Sequence, residues 1–136
     1  MYKGILSRQD VFSDRLTLFL LHFAFFLKEF KNSENHKILQ EIYDFNFRQL
    51  ELNIREIGYG DQSVNKKMKD YINNFHAIIS NIHFWNELDY VGKEKKISPF
   101  LSNFENIGYL VDYFEEFRNN LAKKTLKSFL KSVSKH

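Results

Sequence analysis

Ile54-Arg55-Glu56-Ile57-Gly58-Tyr59-Gly60-Asp61-Gln62-Ser63-Val64 holds two of the five glycines of a 136-residue chain and separates two segments with helical spacing. Gly58 can take the left-handed conformation that ends a helix, because it has no Cβ to clash. Gly60 is a second permissive position, and Asp61 or Ser63 can cap the next helix by accepting from its free N–H groups. Arg55 and Glu56 fall in the last turn before the break. The pattern is helix, tight joint, helix. Its charges make it either a well-built joint or one that also displays a recognition surface.

Upstream, the spacing predicts a helix from about Glu34 to Ile57. Its apolar set of Ile38, Leu39, Ile42, Tyr43, Phe45, Leu50, Ile54 and Ile57 covers a broad arc. Asn46, Gln49, Asn53 and Glu56 form a polar stripe beside it, expected to face solvent because unpaired burial costs about 1–3 kcal/mol per group. Downstream, Val64, Met68, Tyr71, Ile72, Phe75, Ile78 and Ile79 predict a helix from about Val64 to Ser80. Lys66, Lys67 and Lys69 lie in its first turns, where the helix dipole disfavours cations. Their placement is some evidence for an anionic neighbour, although lysine clusters near acids are more often a solvated face.

The segment from about Phe12 to Phe30 has the core Leu16-Thr17-Leu18-Phe19-Leu20-Leu21-His22-Phe23-Ala24-Phe25-Phe26-Leu27, apolar on nearly every side. Twelve such residues at about 1.5 Å each reach roughly 18 Å, short of the ~30 Å hydrocarbon core of a bilayer. His22 and the flanking Asp14, Arg15, Lys28 and Glu29 also oppose a span. A central helix wrapped by the others is expected. Beyond the third helix, Asn81 to Tyr90 reads as a short helix carrying Trp85, and Gly92-Lys93-Glu94-Lys95-Lys96 as a loop. Ser98-Pro99 then predicts a helix start, with a helix over Phe100 to Ile107 and a break at Gly108. Leu110 to Leu121 continues as a helix. Ala122 to Ser134 sets Leu126, Phe129, Leu130 and Val133 against Lys123, Lys124, Lys127 and Lys131, a basic amphipathic helix.

Composition agrees with long helices. One proline and five glycines argue against a turn-rich sandwich, and 15 Phe, 7 Tyr and one Trp supply core filling with some left for the surface. The fold expected is all-α: one domain over residues 1–136, a helical bundle of about six to seven helices around a central apolar first helix, closing on the basic helix at 122–134. Net charge is +3; six Lys or Arg and no acid follow from Arg118 onward, so residues 1–117 carry −3. A basic end on a mildly acidic body fits a tail that meets an anionic membrane, a nucleic acid or a ribosomal surface. Acids at Asp10 and Asp14 and the lack of a small-residue cleavage site argue against a secretory leader, so the chain is expected to stay where it is made.

Chemistry has little to work with. No cysteine excludes disulfides, thiolate nucleophiles and Cys-based metal sites. His76, Ser80, His83 and Glu87 share a face if their helix is continuous, but no compact metal motif occurs, and the histidines read as surface or core-edge residues. Gly58-Tyr59-Gly60 lacks a third glycine and follows a helix, so it is no phosphate cradle. Asp112, Glu115 and Glu116 read as an exposed face with nothing to shift their pKa values. No catalytic residue, metal, cofactor or small-molecule substrate is expected.

Over Leu52-Asn53-Ile54-Arg55-Glu56-Ile57-Gly58-Tyr59-Gly60-Asp61-Gln62-Ser63-Val64 the chain resembles the ubiquinol–cytochrome c chaperone family, whose members show Leu-Arg-Glu-Met-Gly-Val-Gly-Asp, a spacer and Val. Ile54, Ile57 and Tyr59 are conservative replacements, and Lys66-Lys67-Met68 fits the continuation. The aromatic first helix and the helical order look similar over roughly residues 12 to 121. Arg48 and Gln49 stand where the family often has Asp, and Phe75-His76-Ala77-Ile78 lacks the family's Gly-Arg. The resemblance implies a non-enzymatic assembly factor for the cytochrome bc1 complex that acts on newly made cytochrome b. It also implies a small partner protein and a bacterial member at the cytoplasmic face of the inner membrane. On that view Arg55, Glu56, Tyr59, Asp61, Lys66 and Lys67 meet client or partner, and Gly58, Gly60 and Ser63 build the joint. Lys123, Lys124, Lys127 and Lys131 would contact membrane or ribosome.

Overall fold

A computed structural model describes residues 8–101 and 104–134, with side chains from Asp14 to Lys131 among them. The side chains of Phe12, Asp10 and Val133 lie outside the described residues. Six α-helices run in the order α1 (Arg8–Phe30), α2 (His36–Ile57), α3 (Asp61–Ile82), α4 (Tyr90–Ile97), α5 (Ile107–Ala122) and α6 (Leu126–Ser134). Single 3-10 turns occupy Trp85–Glu87 and Ser98–Phe100, and there is no strand among the described residues. The fold is all-α, in one domain. None of the described helices is long and apolar enough to cross a membrane.

α1 is apolar all round because it is covered on two sides. Residues two apart on a helix point about 200° from each other, and here Phe23 and Phe25 face different rows of rings. Phe23 stacks on Phe75 of α3 at 5.3 Å and meets Phe47 and Tyr43 of α2. Phe25 stacks on Phe114 of α5 at 5.2 Å and meets Trp85 edge-on at 5.0 Å. α3 and α5 flank α1, α2 packs on α3, and α4 bridges α3 and α5. Leu20, Leu21, Ile54, Phe75, Ile78, Trp85 and Phe114 are fully buried among them.

Five local readings are corrected. Gly92 to Lys96 is not a loop but lies within α4: Asp89 caps that helix by accepting from the Gly92 N–H at 2.7 Å, and Ile97 buries its far end. Ser98-Pro99 opens only a single 3-10 turn and not an α-helix, and the Ser98 hydroxyl donates back to the Glu94 carbonyl and closes α4. No helix covers the described part of 101–106; Asn106 instead caps α5 by accepting from the Tyr109 N–H at 2.9 Å, and Gly108 lies inside the first turn of α5 rather than at a break. Asn81 and Ile82 belong to α3, leaving Trp85 on a 3-10 turn rather than a helix of its own. α6 starts at Leu126, later than expected, since α5 runs to Ala122 and Thr125 accepts from the Ser128 N–H at 3.0 Å.

Candidate functional site

The joint between α2 and α3 is closed by its own charges. Gly58 has φ 110°, ψ 13° and donates its N–H to the Arg55 carbonyl at 3.0 Å, the left-handed helix end that glycine permits. Gly60 is extended and stands at the cap position of α3, with no side chain to accept from the helix's free N–H groups. The expected caps are therefore corrected: neither Asp61 nor Ser63 caps α3. Asp61 is its first residue and is taken by Arg55, whose Nη1 donates to the Asp61 carboxylate across the turn. Arg55 Nε also donates to Glu51 one turn back, at 3.4 Å. The Asp61 hydrogen bond is the main reason the guanidinium holds its proton more firmly than usual. All three side chains are solvent-exposed, so the pairs orient more than they stabilise.

Tyr59 is half-buried and carries Lys67 over its ring, Nζ 4.5 Å from the centroid. That contact gives Lys67 an aromatic neighbour within the chain. Glu56, Ser63 and Lys66 are exposed, and no contact draws them into the Arg55 group. The stripe of Gln49, Asn53 and Glu56 is exposed and Asn46 is half-buried. Lys123 and Lys124, in the connection after α5, and Lys127 and Lys131, on α6, are all exposed, while Leu126 is buried. Phe129 packs on Phe26 at 5.4 Å and Phe30 at 5.9 Å, so the apolar face of α6 is spent on α1 and its basic face is what it presents.

One polar cluster escapes sequence reading. Glu115 is half-buried, against the expectation of an exposed, unshifted carboxylate. Trp85 Nε1 donates to it, Lys93 Nζ lies 2.8 Å away and Arg118 Nη2 3.7 Å. Burial would push its carboxyl up, but the bonds from Lys93 and Trp85 outweigh that and hold it below the usual value. Arg118 lies one turn on in the same helix, but Trp85 and Lys93 come from two other elements, which no spacing rule could have joined to Glu115. Asp112 and Glu116 are exposed as read. No group of three or more His, Asp or Glu among the described residues is arranged to hold a metal ion. α3 ends at Ile82, so Glu87 does not continue the face of His76 and His83.

The profile of a family described as ubiquinol-cytochrome C chaperone matches residues 6–82, from the start of α1 through the end of α3. The chain belongs to this family. The Arg55–Asp61 joint lies inside the matched region, and α4 to α6 follow it. No match is found among curated proteins or among solved structures.

Proposed function

We propose that this chaperone-family member is a non-enzymatic assembly factor that holds apolar segments of newly made cytochrome b and supports cytochrome bc1 complex assembly. The observation that carries the reading is an uncovered apolar stripe on α2. Ile38, Phe45 and Leu52 are 40%, 55% and 47% exposed and recur every seventh residue, which keeps them on one side of the helix. Ile38 and Phe45, with Ile42, Glu41, Asp44 and Arg48, line a shallow hollow of about 460 Å³ with an apolar floor and a charged rim. Such a face suits a partner that is itself apolar. The Arg55 bridges set the angle at which α2 leaves α3 and so the direction in which the stripe is offered; Glu56 and Lys66 add charge for client or partner.

The exposed lysines of α6 favour a second reading, a peripheral membrane- or RNA/ribosome-binding module. The two are compatible if the basic helix holds the chaperone where its client emerges, at the cytoplasmic face of a bacterial inner membrane, with or without a small partner protein. Phe45→Asp with Leu52→Asp is expected to lose cytochrome b in co-purification from the native host and to lower bc1 complex levels, with helicity intact. Normal bc1 levels after deletion of the gene would end the cytochrome b reading.

A further inference from the structure

α1, α2 and α3 each turn a stripe at heptad-like spacing toward one shared cavity of about 610 Å³. Its floor is aliphatic: Ala24 and Leu27 from α1, Leu39 from α2, Ile79 and Ile82 from α3. Its polar members include Lys28, Lys31, His36, His76 and His83, and no Asp or Glu lines it. Among the described residues neither lysine forms an ion pair. Lys28, in the last turn of α1, complements that helix's dipole, which places the ammonium group without neutralising it. The volume falls within the range of roughly 300–1,000 Å³ that small-molecule sites occupy. It is too small for both tails of a diacyl lipid.

We propose that this cavity binds a single-chain amphipathic carboxylate of the fatty-acid class, its tail along the Leu27, Leu39 and Ile79 floor and its carboxylate beside Lys28 and Lys31. Charge complementarity selects an anion, and the aliphatic floor selects a tail. A bare anion would leave that floor wet, and a neutral hydrocarbon would leave both ammonium groups without a partner. The site is separate from the client-holding stripe. On α2 the cavity is lined from positions 36, 39, 40 and 43, which at 100° per residue lie about half a turn from Ile38, Phe45 and Leu52. One element thus carries two apolar faces with different occupants.

Titration calorimetry of the full chain with decanoate, below its micelle-forming concentration, tests the assignment, with decanol as the uncharged probe. One saturable site is expected, with decanol about tenfold weaker or worse. Lys28→Gln with Lys31→Gln should weaken decanoate by about tenfold, the size of two partly exposed ion pairs, and leave decanol unchanged. Ile79→Trp, which fills the floor, should remove both, and the lysine variants carry the test if it does not fold. Phe45→Asp, on the other face of α2, should change nothing here, so this inference and the client reading fail independently. Equal affinity for decanol, non-saturable uptake, or decanoate binding unaltered by the lysine changes would overturn it. So would an acidic apolar peptide held in the cavity that decanoate cannot displace.

Discussion

Gly58 is the one described residue with positive φ, at 110°, and a Cβ built there would meet nothing within 4 Å. Its cost of substitution is therefore purely one of backbone conformation. Gly58→Ala is expected to destabilise by about 1–2 kcal/mol, read as a lower urea midpoint with unchanged slope. Gly60 also has open space but sits at φ −74°, so Gly60→Ala should be neutral or slightly stabilising. Arg55→Ala removes two exposed bridges and should barely move stability; lost bc1 assembly with the fold intact would assign those bridges to geometry that function needs. Gly58 could be read from sequence because a helix ending on glycine has one physical meaning. Asp61 could not, because a carboxylate at that position can cap a helix or pair with Arg55, and only the fold brings the guanidinium within reach. Glu115 was missed for the same reason, its partners Trp85 and Lys93 lying on distant segments. Its folded-state carboxyl is held below the ordinary value near 4.5. A depressed carboxyl contributes stability that is complete above the unfolded value and is lost as pH falls through the folded one. Glu115→Gln should accordingly be less stable than the parent at pH 7, with a smaller further loss on acidification below about 4.5, in urea melts across that range.

At the scale of elements, the helices with strong apolar periodicity were legible and the short ones were not. α2 and α3 follow their stripes closely, although Phe47, fully in the core, was absent from the expected set while Ile38 and Phe45 proved exposed. A broad apolar arc does not say which of its edges will be covered. α4 looked like a loop because a glycine and three lysines suit solvent, yet Asp89 caps it, Ile97 anchors it, and Lys93 leaves the helix to reach Glu115. Those are tertiary contacts, invisible to a local window. α6 is the opposite case. Its amphipathic pattern is plain, but nine residues are too few for an isolated helix to persist in water. It stands because Leu126 is buried and Phe129 packs on Phe26 and Phe30. Phe129→Ala is thus expected to strip hydrogen-exchange protection from the amides of α6 while those of α1 and α3 stay protected. Equal loss everywhere would mean α6 is part of the cooperative core.

Across the whole molecule, the burial of one helix decides the arrangement. With Phe23 and Phe25 engaging separate aromatic rows, α1 ties α2 and α3 on one side to α5 and Trp85 on the other. Helix content and family membership could be read from residues; which helix faces remained uncovered could not, because coverage depends on how α2 and α3 cross over α1. The result separates three surfaces: an apolar stripe on α2, a cationic cavity between α1, α2 and α3, and the lysines on and just before α6. The last can be tested as electrostatics alone, since the apolar face of α6 is occupied within the molecule. Each basic residue near an anionic bilayer is worth about 1 kcal/mol, so four set a ceiling of roughly 4 kcal/mol, about three decades in partitioning. Binding to vesicles of mixed neutral and anionic lipid should therefore fall steeply between low and physiological salt, as screening shortens the reach of each charge. Reversal of Lys123, Lys124, Lys127 and Lys131 to Glu should abolish that binding in a co-sedimentation assay while the helix content of the body is retained. Binding that survives both high salt and charge reversal would instead require apolar insertion. The α2 stripe would then be the surface that meets the bilayer, and Phe45→Asp should be the change that releases the protein.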